Sequence, residues 1–194
     1  MRSHSSPLLA LLFVLTVAPT MALAQGAPDS GLLIAQQKAA IKSLAWMDGV
    51  WRGPAWTILP SGEKHEITQT ERVGPMLDGS IKVIEGRGYD AGGKVTFNAF
   101  GIVTFNTGTK KYTLHSHAMG FVGDFELAPN DSGYVWQLPA GPGVIRYVAV
   151  VHGTEWRESG YRVFPGQEPV HFFEMNLKRV RDSDWPASGA ISAK

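Results

Sequence analysis

The chain has 194 residues, with 18 Lys and Arg against 17 Asp and Glu, and no cysteine. So even a charge balance excludes the clustered positive charge of a nucleic-acid surface or a polybasic membrane contact. The missing thiols exclude disulfides, thiolate metal sites and cysteine nucleophiles, and the length fits one domain with enough chain to bury a sizeable core.

Residues 1–24 read as a cleavable secretory leader. Arg2 and His4 supply a cationic start, and an apolar run follows from Leu8 to Ala18. That run is about 11 residues, where a bilayer span takes roughly 20. Ala22-Leu23-Ala24 sets small residues three and one before a cut predicted after Ala24. The expectation is a periplasmic or secreted protein without a stable membrane anchor. Residues 25–48 follow as a lead and a helix from about Gly31 to Met47, capped by Asp29 or Ser30. Leu33, Ile34, Ile41, Leu44 and Ala45 recur at helical spacing and make one apolar face. Asp48-Gly49 stops the helix.

From residue 49 to 181 short segments rich in β-branched and aromatic residues alternate with turn residues. Ten strands are predicted, at about 51–59, 65–73, 80–88, 94–105, 110–118, 121–127, 133–138, 143–151, 154–164 and 170–180. The connections are too short for crossover helices, so neighbours pair antiparallel. A meander of ten strands is relieved of its edges by closing into a barrel; a two-sheet sandwich is the alternative. The helix face would cap one end or pack along the outside. Residues 182–194 read as a loose tail.

Gly49-Val50-Trp51, at the entry to the first strand and after a short helix, resembles the Gly-x-Trp start of calycin barrels, the group of lipocalins, fatty-acid-binding proteins and nitrobindin-like proteins. The resemblance implies an all-β, calycin-like barrel with Trp51 at its floor and a basic side chain across the indole, Arg179 first among Lys178, Arg179 and Arg181. Thr70-Glu71-Arg72, Leu77-Asp78-Gly79, Ile84-Glu85-Gly86-Arg87-Gly88, Ala99-Phe100-Gly101 and Phe172 to Leu177 occur in order. Together they resemble a family of small exported bacterial proteins of unknown function, DUF1579-like, over residues 44–181. In heme-binding nitrobindin-like barrels the last strand carries a histidine ligand. Aligning Leu177 and Arg179 on that pattern puts Phe172 at the ligand position and His171 one residue away.

The chemistry-bearing candidates lie on the later strands. In the last strand His171, Phe173, Met175 and Leu177 share one parity, the more apolar, which points them inward and sets His171 near the barrel mouth. His115 and His117 share one face of the fifth strand at a spacing two metal ligands use, with His65, His171 or a carboxylate as a third. Arg146 and Tyr147 lie in an apolar strand. The parity mates of Arg146 are Val144, Val148 and Val150, so it is read as inward, an anchor for carboxylates or polar headgroups with Glu158, Glu85 or Glu71 as ion-pair partner. Glu158 and Tyr161 belong to the same group. Glu71 and Glu85, on adjacent strands, are read as two carboxylates able to split their pKa values. No phosphate-cradling glycine loop, nucleotide fingerprint or Gly-x-Ser-x-Gly elbow occurs.

The leading expectation is a barrel that binds a small apolar or aromatic molecule inside. The alternatives are an enzyme using a His/Glu/Arg cluster for acid–base chemistry (a lyase, isomerase or hydrolase), which needs His115, His117 or His171 in a cavity beside a carboxylate, and a metal or heme carrier. No cofactor, catalytic residue or oligomeric state follows from these residues.

Overall fold

Ten antiparallel strands in chain order close on themselves in the computed structural model, which describes residues 29–185. They are β1 (Gly49–Ile58), β2 (Lys64–Met76), β3 (Ile81–Tyr89), β4 (Val95–Asn106), β5 (Lys111–Ala118), β6 (Phe121–Asn130), β7 (Gly133–Ala140), β8 (Gly143–His152), β9 (Glu155–Val163) and β10 (Val170–Arg181). β1 pairs with β2 on one side and with β10 on the other, so no strand is left as an edge. The barrel, not the sandwich, is formed. The proposed leader lies outside the described residues, as does the tail beyond residue 185. Among the described residues no helix is long and apolar enough to cross a membrane.

The helix is shorter than predicted. α1 (Ser30–Lys42) starts where the Asp29 carboxylate accepts from the Gly31 N–H at 2.8 Å, the capping bond that a short acidic side chain makes at a helix start. The chain turns after Lys42 and re-forms as a short 3-10 turn, Ala45–Met47. The predicted stripe therefore divides. Ile41, Leu44 and Met47 enter the core, while Ile34 and Ala45 stay exposed. The helix lies across the barrel end that carries the β2–β3 and β4–β5 turns. Lys38 pairs with Asp78, and the Tyr112 hydroxyl donates to the Ala40 carbonyl at 2.9 Å.

Beneath that cap the barrel is solid. Trp51 is fully buried, and its indole N–H donates to the Met47 carbonyl at 2.9 Å. The Arg179 guanidinium lies over the indole, 4.5 Å from the ring centre, a favourable cation–π placement. Arg179 also donates to the carbonyls of Trp46 and Asp48. Gly49 leaves the space this needs, since a Cβ there would stand 2.9 Å from Arg179 Nη1. Lys82, 1 % exposed, pairs with Asp48 at the same end. Past β10, the first residues of the tail lie against β2: Ser183 Oγ donates to the Val73 carbonyl at 2.5 Å, and Arg72 stacks on Trp185 at 3.9 Å.

Candidate functional site

The barrel is filled only in its lower part. Above Trp156, which meets Trp51 edge-to-face at 5.6 Å, a cavity of about 630 Å³ runs to the opposite end. That volume lies within the range of small-molecule sites, about 300–1,000 Å³. Trp136 and Tyr147 from β7 and β8 stack along one wall, with ring centres 4.4 Å apart and planes 9° from parallel. Phe97, Phe125, Phe172 and Phe173 make the wall largely aromatic, and His65 lines it near the β1–β2 turn.

Two carboxyl groups stand in this apolar space. Glu71 on β2 is 8 % exposed and accepts from Gln69 Nε2 at 2.7 Å. Its carboxyl lies against Gly86 of β3, where a Cβ would come within 2.9 Å of Oε1. Glu158 on β9 is 6 % exposed and accepts from the Tyr134 hydroxyl at 2.5 Å and the Trp136 indole N–H at 3.0 Å. Burial pushes Glu71 up to about 8, offset only in part by the Gln69 bond and reinforced by the charge of Glu158. Burial also raises Glu158, while its two donors favour the charged form. Burial and the charge of Glu158 push Tyr147 up to about 12, so it stays a neutral donor near pH 7. Among the described residues, no Lys or Arg lines the cavity.

Of the predicted residues, Tyr147, Phe173 and Glu158 come together here, whereas Arg146, Tyr161, His115, His117 and His171 lie on the outside. Both faces of β8 are apolar by sequence, so parity alone did not orient Arg146. Ile145, Tyr147, Ala149 and Val151 face in, and Arg146 is exposed, because an unpaired buried guanidinium is costly. The inward reading of His171 fails on a β-bulge. β10 carries one extra residue, Phe172, between His171 and Phe173. Two-against-one pairing lets Phe172 and Phe173 both reach the cavity and turns His171 out. There it stands 4.9 Å from Trp56 and 5.0 Å from Tyr161, ring centre to ring centre.

On β5, Tyr112, Leu114 and Ser116 take the inner face and the two histidines the outer one. His115 bridges Asp124 (2.7 Å) and Thr104 (3.0 Å) across three strands. These are the residue types of a hydroxyl–imidazole–carboxylate relay. It lies on the outer face, away from the cavity, where β6 is paired with β5 alone, since β7 joins it only from Leu127 onward. Glu85 is also outside, 3.8 Å from Arg72, so the carboxylate that shares the interior with Glu71 is Glu158. Among the described residues no three His, Asp or Glu side chains are grouped as a metal site requires. Gln69, Tyr134 and Trp156 were not singled out from sequence. The signal for Gln69 and Glu71 was present: they alternate with Ile67 and Val73 on one face of β2.

No protein-family model and no curated protein matches the chain.

Proposed function

We propose that this is an exported barrel protein that binds a small molecule with an apolar or aromatic body inside its barrel. The observation that carries the reading is the aromatic cavity of about 630 Å³ above a closed floor. A barrel of about eight strands is just filled by side chains or holds one small ligand, and the interior widens with strand number, so ten strands leave room for one. The leader-like residues 1–24 support export, and the motifs quoted above support kinship with the DUF1579-like calycin barrels. The histidine-based acid–base reading loses its support, because His115, His117 and His171 are all outside the cavity.

A neutral apolar fluorophore, N-phenyl-1-naphthylamine, provides the test. Saturable fluorescence enhancement with one site per chain and a Kd of about 1–10 μM is expected. Ser116→Phe, which fills the cavity from β5, is expected to weaken binding at least about tenfold. No enhancement, or enhancement indifferent to Ser116→Phe in a folded variant, would sink the reading.

A further inference from the structure

We infer that the cavity takes an organic cation, an alkylated or protonated amine carried on an apolar or aromatic body. The inference rests on the binding reading above and names the ligand class of the same site. Its basis is the unusual polar content of an otherwise apolar space. Glu71 and Glu158 are both more than nine-tenths buried, and both belong to the cavity wall.

Their hydrogen bonding is unequal. Glu158 uses both oxygens, one for Tyr134 and one for Trp136. Glu71 accepts from Gln69 through Oε1, and no described residue donates to Oε2. Buried polar groups are normally paired, so the Glu71 carboxyl is not completed by the chain itself.

Three ligand classes compete for the space. An anion would meet two carboxyl groups and, among the described residues, no Lys or Arg on the wall. Arg162, further along β9, is engaged with the Ile58 carbonyl at 3.1 Å and the ring of Phe172 at 4.4 Å. A fully neutral apolar ligand would leave Glu71 Oε2 dry and unpaired, which is costly. A cation satisfies Glu71 directly. The stacked pair Trp136 and Tyr147, together with Trp156, offers ring faces on which an alkylammonium is favoured. The groups that set the charge around Glu71 are Glu158 on β9, Glu85 on the outer face of β3, and Tyr134 on β7. Tyr147 and His65 are the remaining titratable groups of the cavity wall.

Three probes with one chain length and different heads decide the matter: decyltrimethylammonium, decanol and decanoate, each below its micellar concentration, competing against N-phenyl-1-naphthylamine. Decyltrimethylammonium is expected to compete at least about tenfold better than decanoate and several-fold better than decanol. Glu71→Gln is expected to narrow the gap between decyltrimethylammonium and decanol. Should that variant fail to fold, calorimetry on the unaltered protein serves instead. The quaternary head carries no proton, so a binding heat near pH 7 that changes with the ionisation enthalpy of the buffer reports a proton leaving the protein as Glu71 ionises. Decanoate competing as well as the cation, an unchanged gap in folded Glu71→Gln, or a buffer-independent heat would overturn the inference while fluorophore binding kept the pocket reading intact. Failure of the fluorophore itself would remove the pocket reading, and this inference with it.

Discussion

Replacing Asp48 by Ala is expected to destabilise the barrel by about 3–5 kcal/mol, the cost of leaving a buried charge without its partner. The partner is Lys82, which is 1 % exposed and pairs with Asp48 at the floor, on the inner side of β3 across from Val103. Burial already lowers the Lys82 pKa more than the attraction of Asp48 raises it. Without Asp48 the ammonium has nothing to set against its desolvation, so the deficit should shrink as the pH is raised and the amine gives up its proton. Replacing both residues, Lys82→Met with Asp48→Ala, should recover most of the loss, because an apolar side chain of similar volume needs no partner in that space. Urea unfolding of the two single variants and the double variant checks this. A single Asp48→Ala variant within about 0.5 kcal/mol of the unaltered protein would mean that the pair carries no such weight.

The second large effect concerns Glu71, whose carboxyl is held up to about 8 from an ordinary value near 4.5. The folded protein therefore binds a proton that the unfolded chain releases between these two pH values. The favourable contribution is fully present below about 4.5 and is lost as the pH rises through about 8, so stability falls with rising pH in this window. At 1.36 kcal/mol per pH unit the loss is on the order of 5 kcal/mol by pH 9. Glu71→Gln keeps the shape, removes the titration and should flatten this slope. The variant should match the unaltered protein near pH 4.5 and exceed it by several kcal/mol at pH 9. Urea midpoints at the two pH values are the readout, and parallel slopes for the two proteins would contradict the burial of Glu71. A stability cost at the pH where the protein works is what a ligand-binding carboxyl in a dry cavity would be expected to carry.

One effect arises at the floor of the tube and the other in the cavity just above it, where Glu71 lies opposite Trp51, and the sequence was unequally informative about them. The strand plan was legible to within three residues at each strand end because its punctuation is chemical. Asn106-Thr107-Gly108, Met119-Gly120, Ala140-Gly141-Pro142 and His152-Gly153 each mark a turn between strands, and the observed strands end beside each of them. The floor was legible through the resemblance of Gly49-Val50-Trp51 to the Gly-x-Trp start of calycin barrels, which implied a basic side chain across the indole, the place Arg179 takes.

The site was less legible because it depends on which face each residue takes, and parity is a weak guide where both faces are apolar or where a strand slips. β8 has apolar residues on either side of Arg146, so only the cost of burying a guanidinium orients it. At Phe172 one extra residue reverses the face of everything before it, and two adjacent phenylalanines give no sign of which one is extra. The pairing of Glu71 with Glu158 joins β2 to β9, two strands that are not neighbours in the sheet. Only closure of the barrel brings them to one cavity, and no short-range spacing encodes that. The shared parity of Ile67, Gln69, Glu71 and Val73 on β2 is the half of the site that local pattern could reach.

On the proposed function, a ligand enters the open upper barrel and stops at Trp156 above the Trp51 floor. The six tryptophan side chains report this residue by residue. In a proton–nitrogen correlation spectrum titrated with N-phenyl-1-naphthylamine, the indole signals of Trp136 and Trp156, which line the cavity, should shift saturably. That of Trp185, packed on Arg72 beside β2, should stay in place. Unmoved Trp136 and Trp156 signals, or shifts confined to Trp185, would contradict the account.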